Sequence, residues 1–512
     1  MILVGELSLW VALLLAAWAA IVSFAGGIQA RSDLIASGER GIHTALAMLL
    51  LASLGLWSAL AAHDLSLAHV ASFTAANLPL VYTLAAFWAG PAGALLLFAL
   101  LLSACSAAVV FGNRGRNRAL LPYVTGTLAI VLTFVVATLC LGVNPYERLD
   151  WSPLDGRGMS PLLQSAGMIL HPATLYAGLA GTAVPFALGI AALLTRRLDG
   201  ECLCVVRRWV IVTWIFLTIG IVTGMWWAYG QPDWGGEWTR DAVGNAAVYP
   251  WLVDTVLLYL LGARAERAAW RKWNVTLLLL AFPLALFSAF LARGGIISTA
   301  HSFARSPVGG WLAGLLVLAV AAATYLLLMR LPALNGGGEA GAAFPPAPRR
   351  LGVALVYAGI VVMLVALSVQ AWRKDHSLTL PPGASGELRD PLGRTWRLTS
   401  QGVSQYNELN RSVLAAAIEV AESARSAEVV TSERRQYADS RGNPTFAPST
   451  TAGILRTLEQ DTYVTLVDVG EDESVRLRVG FHPVVVWVWM AGTIMVIGGM
   501  LLLVETATRR GE

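Results

Sequence analysis

Residues Gly224–Trp251 read GMWWAYGQPDWGGEWTRDAVGNAAVYPW, and their placement decides the fold. The stretch follows one long apolar run, Trp209 to Thr223, and precedes another, Leu252 to Gly262. Runs of this kind read as spanning helices, which makes the residues between them a loop at one membrane face. The loop is rich in indoles: Trp226, Trp227, Trp234, Trp238 and Trp251 lie in it, with Trp214 just upstream. Interfacial belts enrich tryptophan at headgroup level, which accounts for Trp226 and Trp251. They do not account for Trp234-Gly235-Gly236-Glu237-Trp238 in mid-loop. Large rings beside a glycine pair offer a flat apolar surface that backbone approaches closely. The natural guest is a planar aromatic ligand such as a porphyrin.

Outward from the loop, the chain has the composition of an integral membrane protein. Of its 512 residues 56% are hydrophobic and 13% are charged, against about 25% charged in soluble domains. Stretches of roughly 20 apolar residues predict eleven spans: 4–25, 41–62, 91–112, 119–142, 172–195, 207–227, 248–263, 274–293, 309–330, 351–372 and 483–504. The first run lacks a basic start and an A-x-A exit and reads as a helix, not a cleaved signal. Basic residues gather at one set of span ends, among them Arg114, Arg116, Arg118, Arg196, Arg197, Arg207, Arg208, Arg271 and Lys272. The opposite short loops carry only Arg148, Arg157, Arg240, Arg293 and Arg305. The positive-inside bias therefore predicts a multi-pass protein of the cytoplasmic membrane with the Trp-rich loop on the extracytoplasmic side. The net charge of +4 follows from this bias and does not point to nucleic acid.

Several loops carry further expectations. Residues 63–90 alternate polar and apolar positions like a helix lying in the interface. Ser160-Pro161 predicts a capped short helix to Leu170. His171-Pro172 then predicts the start of the fifth span, because the residue before proline avoids the helical region. Residues 374–480 alternate in the manner of strands, with Asn-Pro and Gly-Glu turn signals between them. The expected organisation is a helical membrane domain over 1–373, an extracytoplasmic β-rich domain over 374–480, and a final span with a cytoplasmic tail over 481–512. The four cysteines, at 105, 140, 202 and 204, all lie outside that β domain and build no disulfide framework. Cys202-Leu203-Cys204 has no matching His or Cys pair to complete a metal site.

Seven histidines are present, at 43, 63, 69, 171, 301, 376 and 482. His171 and His301 stand apart because both flank the Trp-rich loop on the same face. Two imidazoles on opposite faces of a haem iron suit that placement. His63 and His69 share the side and remain rivals for either position.

The motifs then add up to a family. NPYERL at 144–149, SPLLQSAGMILHPATLYAG, the Gly224–Trp251 block, RGGIISTAHSFARSP, DLSLAHVASFTAANLP, TFAPSTTAGILRTLEQDTYVTL and FHPVVVWVWMAGTIMVIGGMLLL follow in family order. Together they resemble the CcmF-type cytochrome c haem lyases, the haem-handling proteins with a WWD domain, over nearly the whole chain. The resemblance implies that His171 and His301 are the axial, metal-binding ligands of a haem held on the outer face. It implies a porphyrin surface built from Trp226, Trp227, Trp234, Gly235, Gly236, Trp238, Asp241 and Asn245. It also implies a haem chaperone as donor, other cytochrome c maturation subunits in the same bilayer, and covalent attachment of haem vinyls to the CxxCH thiols of apocytochrome c.

Departures from the family pattern modify these expectations. Where the pattern reads approximately WGGxWxWDPVEN, this chain has Glu237, Arg240, Ala242 and Gly244 in place of Trp, Trp, Pro and Glu. The family's two membrane-embedded haem b histidines match Tyr259 and Arg350, and a protonated guanidinium has no lone pair for iron. At most one haem, at the outer site, is expected. Roughly four helices of the family are missing between the ninth and tenth spans, the pattern of a trimmed, divergent paralogue. Two alternatives to a haem lyase subunit stand beside it: a haem exporter or holder without ligation activity, and a degenerate assembly subunit.

Overall fold

The computed structural model describes residues 1–115, 118–196, 200–234, 242–262, 268–294, 307–335, 350–422 and 426–508. The helices in chain order are α1 (Ile2–Gln29), α2 (Ser32–Ala61), α3 (Ala68–Phe73), α4 (Leu80–Ala85), α5 (Pro91–Asn113), α6 (Leu121–Leu141), α7 (Gly167–Gly181) and α8 (Ala183–Thr195). They continue with α9 (Gly200–Tyr229), α10 (Ala242–Ala246), α11 (Val248–Gly262), α12 (Ala268–Arg293), α13 (Val308–Asn335) and α14 (Arg350–Val369). Nine strands follow, and α15 (Val485–Thr508) closes the chain. Among the described residues, eleven helical stretches are long and apolar enough to cross a membrane, with α7 and α8 together forming the fifth. These are the eleven expected spans, with most ends shifted by a few residues and the second span beginning at Ser32 instead of 41.

Close packing of α7 on α9 positions the candidate site. Gly220 and Gly224 of α9 form a GxxxG pair that lets the two helix backbones approach closely. A Cβ at Gly220 would lie 2.7 Å from Leu175 Cα, and one at Gly224 would lie 2.6 Å from the His171 ring. Leu175 and His171, one helical turn apart on α7, thus seat on the two glycines.

Four local expectations are corrected by the structure. α7 begins at Gly167, so His171-Pro172 lies within the helix and not at its start. Pro172 removes only one intrahelical bond, to Met168 in the first turn, and the helix continues through it. The helix expected from Ser160-Pro161 is a single 3-10 turn, Pro161–Leu163, without a side-chain cap. Residues 63–90 form two short helices and a 3-10 turn instead of one interfacial helix. Gly224–Tyr229 belong to α9, so Trp226 and Trp227 are helical and not in a loop.

Between α14 and α15 the strands are β1 (Lys374–Leu380), β2 (Ser385–Arg389), β3 (Thr395–Glu408), β4 (Arg411–Glu422), β5 (Glu428–Tyr437), β6 (Ser449–Thr451), β7 (Gly453–Arg456), β8 (Gln460–Val469) and β9 (Val475–Pro483). They pair antiparallel as β1-β9-β8-β7 and β2-β3-β4-β5-β6. Alternate side chains of both sheets, including Trp396, Leu398, Ile418, Leu466, Leu477 and Phe481, build one core. A bulge between Ser400 and Gly402, with Gly402 at φ 112°, bends the long β3 strand.

The β-rich region docks on the loops at the end of the bundle where α9 finishes. Asn410 Nδ2 donates to Gln164 Oε1 at 2.8 Å, and Asn77 Nδ2 donates to the Ala438 carbonyl at 3.0 Å. Tyr229, the last residue of α9, donates its hydroxyl to Asp461 Oδ2 at 3.0 Å, and its carbonyl accepts from the Tyr463 hydroxyl at 2.9 Å. His482 stacks on Tyr463, with ring centroids 5.1 Å apart and planes 6° from parallel. Burial, reinforced by the charge of Arg373, lowers the His482 pKa from 6.5 to about 4. The imidazole is therefore neutral at physiological pH and packs as an aromatic ring.

Candidate functional site

A cavity of about 470 Å³ opens between α5, α7, α9, α12 and α13 at the end of the bundle that carries the β strands. Its volume is that of a small-molecule site. The walls are mostly apolar, with Phe98, Leu175 and Phe282 among them, and the polar side chains include His171, Tyr176, Asn245 and Arg293.

His171 enters the cavity from α7. Its Nδ1 lies 2.8 Å from the Gly220 carbonyl oxygen of α9. A carbonyl only accepts, so Nδ1 is the donor, and in the neutral ring Nε2 carries the lone pair. Metal-binding imidazoles characteristically have this arrangement, in which a backbone carbonyl fixes the tautomer and the ring plane. Trp227 forms the adjoining wall. Its ring centroid lies 5.8 Å from that of His171, and its Nε1 donates to the Leu162 carbonyl at 3.1 Å. Gly167 makes room for it, since a Cβ there would fall 2.2 Å from Trp227 Cγ. A histidine with Nδ1 held by a carbonyl, beside an indole wall in a mostly apolar cavity, fits a haem.

The other residues singled out by the sequence distribute as follows. Asn245 lines the cavity with Gly244. Trp226 does not line it and is 37% exposed, so of the adjacent pair it is Trp227 that joins Trp88 in the wall. The Trp234 backbone lies in a 3-10 turn over Pro232–Trp234. The Trp234 side chain, Gly235, Gly236, Glu237, Trp238, Arg240, Asp241 and His301 lie outside the described residues.

Of the rival histidines, His69 is enclosed. Its Nε2 lies 3.0 Å from the Ala86 carbonyl, its ring rests 5.1 Å from that of Phe73, and a Cβ on Gly93 would come within 2.9 Å of it. Burial lowers its pKa to about 4. It supports the loop behind the cavity and does not line it. His63 takes a left-handed backbone, φ 49°, and is likewise absent from the lining. Tyr259 is 55% exposed and meets Tyr357 edge-on at 6.4 Å. Arg350 opens α14, and its side chain lies outside the described residues. No group of three His, Cys, Asp or Glu able to hold a metal occurs among the described residues.

Among the lining residues that sequence reasoning passed over are Arg293 and Tyr176. Arg293, 7% exposed at the end of α12, donates an Nη2 hydrogen bond to the Tyr176 hydroxyl. The available signal was an arginine closing a long apolar run, in the last turn of the helix.

Comparison with known proteins identifies the family. The family model for the cytochrome C assembly protein matches residues 40–297, half of the chain. CcmF, a cytochrome c-type biogenesis protein of Pseudomonas aeruginosa, is 39% identical over 274 residues, which are 53% of this chain and 42% of the relative. The CcmF of Escherichia coli K12 is 37% identical over 281 residues, 54% of this chain and 43% of the relative. NrfE of Haemophilus influenzae, also a cytochrome c-type biogenesis protein, is 34% identical over 265 residues, 52% and 42% of the two chains. The matches thus span less than half of these curated relatives. A solved structure of a cytochrome c haem lyase CcmF superposes with a TM-score of 0.79 over 98% of each chain at 22% identity, so the fold is shared nearly end to end. The chain belongs to the cytochrome c assembly protein family.

Proposed function

We propose that this protein is a haem-handling subunit of cytochrome c maturation that holds haem in the His171 cavity for attachment to the CxxCH thiols of apocytochrome c. The observation that carries the reading is His171, with its tautomer set by Gly220, facing a cavity of about 470 Å³ walled by Trp227. In this reading His171 and His301 are the two axial ligands. Trp227, Trp234, Gly235, Gly236, Trp238, Asp241 and Asn245 form the surface around the porphyrin, and Trp226 anchors the helix end at the lipid interface. Bound haem supplies vinyl groups that the cysteine thiols attack. The protein supplies position, lowering an entropic barrier without acid–base chemistry of its own.

The arginine asymmetry of the span ends supports an extracytoplasmic cavity and β-rich domain in a bacterial or archaeal cytoplasmic membrane. The partners implied are a haem chaperone, apocytochrome c and other maturation subunits. Glu237 and Arg240, standing where the family pattern has indoles, favour a second reading in which the protein holds or exports haem without ligating it. Expression in a host lacking its haem lyase separates the two. Covalent c-type cytochromes support the lyase; haem-loaded protein without them supports the holder; protein that takes up no haem contradicts both.

A further inference from the structure

The one cationic side chain among the described lining residues is Arg293, and its placement is specific. It ends α12, where the last-turn carbonyls favour a positive charge. Its guanidinium is fixed by the Tyr176 hydroxyl, which accepts from Nη2 and so directs its own O–H elsewhere. Phe98, edge-on to Tyr176 at 6.4 Å, holds the phenol in place. Tyr176 lies five residues along α7 from His171, a rise of about 7.5 Å. Both side chains line the same cavity, with Arg293 beside Tyr176. Arg293 is buried, and its guanidinium reaches a cavity whose other described walls are mostly apolar.

We propose that Arg293, held by Tyr176, anchors a propionate carboxylate of the porphyrin whose iron faces His171. The inference rests on the haem reading above and adds a requirement to it: the ligand is a carboxylated porphyrin, oriented with its acid edge toward α12. The guanidinium gives this edge a charge-assisted hydrogen bond, and the Tyr176 hydroxyl offers a second donor. The vinyl edge is thereby turned away from α12.

The experiment compares haemin with haemin dimethyl ester, which keeps the iron and the ring and removes the charge. Full-length protein in detergent is titrated with each by absorbance, as wild type, Arg293→Gln and Arg293→Lys. The expected result is that wild type prefers haemin over the ester by about tenfold or more. Arg293→Gln should bind the ester as wild type does and lose the preference, and Arg293→Lys should keep most of it. Equal affinity of wild type for the two porphyrins would overturn the proposal. So would an Arg293→Gln protein that keeps the preference, or one that loses both porphyrins alike, which makes Arg293 a structural residue. Wild type that binds neither porphyrin would overturn the haem reading and this inference with it.

Discussion

The imidazole of His171 rests directly on Gly224: a Cβ at position 224 would lie 2.6 Å from its Nδ1 and Cε1. The same ring is bound to Gly220 one turn earlier on α9. A GxxxG pair, usually read as helix packing, here also orients the His171 ring.

Gly224→Ala therefore tests the orientation without touching the histidine. Alanine is the better helix former by about 1 kcal/mol, so a substitution free of clashes would stabilise α9. The contact at 2.6 Å instead forces the ring away from the Gly220 carbonyl. The expected outcome is haem content reduced about tenfold or more in a protein that still purifies as wild type does. Undiminished haem content would show that His171 orientation does not matter.

The eleven spans are legible because length and apolarity act locally, and each helix satisfies its own backbone bonds in lipid. The β-rich region is legible for a similar reason: two-residue alternation in TWRLTS and SVRLRVGF survives into the buried faces of β3 and β9. The site is less so. Trp226 and Trp227 look alike in sequence, and only the rotation of α9 sends one into the cavity wall and leaves the other 37% exposed. Arg293 and Tyr176 are more than a hundred residues apart and meet only through packing of α7 and α12. The choice between His171 and His69 also needed tertiary structure, because enclosure by Phe73 and Gly93 removes His69 from the lining.

The junction between α9 and β8 should contribute to stability. Tyr229→Phe removes the hydroxyl bonded to Asp461 at 3.0 Å in a fully buried setting. A loss of about 1–3 kcal/mol is expected, visible as a lower melting temperature and faster proteolysis between β1 and β9. An unchanged melt would show that the β-rich region is held by its other contacts alone.

Acid should loosen the same end of the molecule. His482 and His69 have folded pKa values of about 4 against an ordinary 6.5, so below pH 6.5 the unfolded chain binds protons that the folded chain does not. Their stabilisation is full above about pH 6.5 and is lost as pH falls toward 4, by up to about 3 kcal/mol for each group. His482→Gln should flatten this part of the melting temperature–pH profile. A profile of unchanged slope would contradict the assignment.

Asp254 of α11 is completely buried, and neither carboxyl oxygen has a hydrogen-bond partner among the described residues. Burying such a group costs about 1–3 kcal/mol. Asp254→Leu should therefore raise the melting temperature. A marked fall would show that the carboxyl is needed where it stands.

The central claim is that haem is held at one outer site by His171 and His301. The most direct measurement is a pyridine haemochrome titration of the detergent-purified protein as wild type, His171→Ala, His301→Ala and the double variant. The account predicts one haem per chain in wild type, reduced content in each single variant and none in the double variant. A haem signal that survives the loss of both histidines, or wild-type protein that takes up no haem, would contradict it.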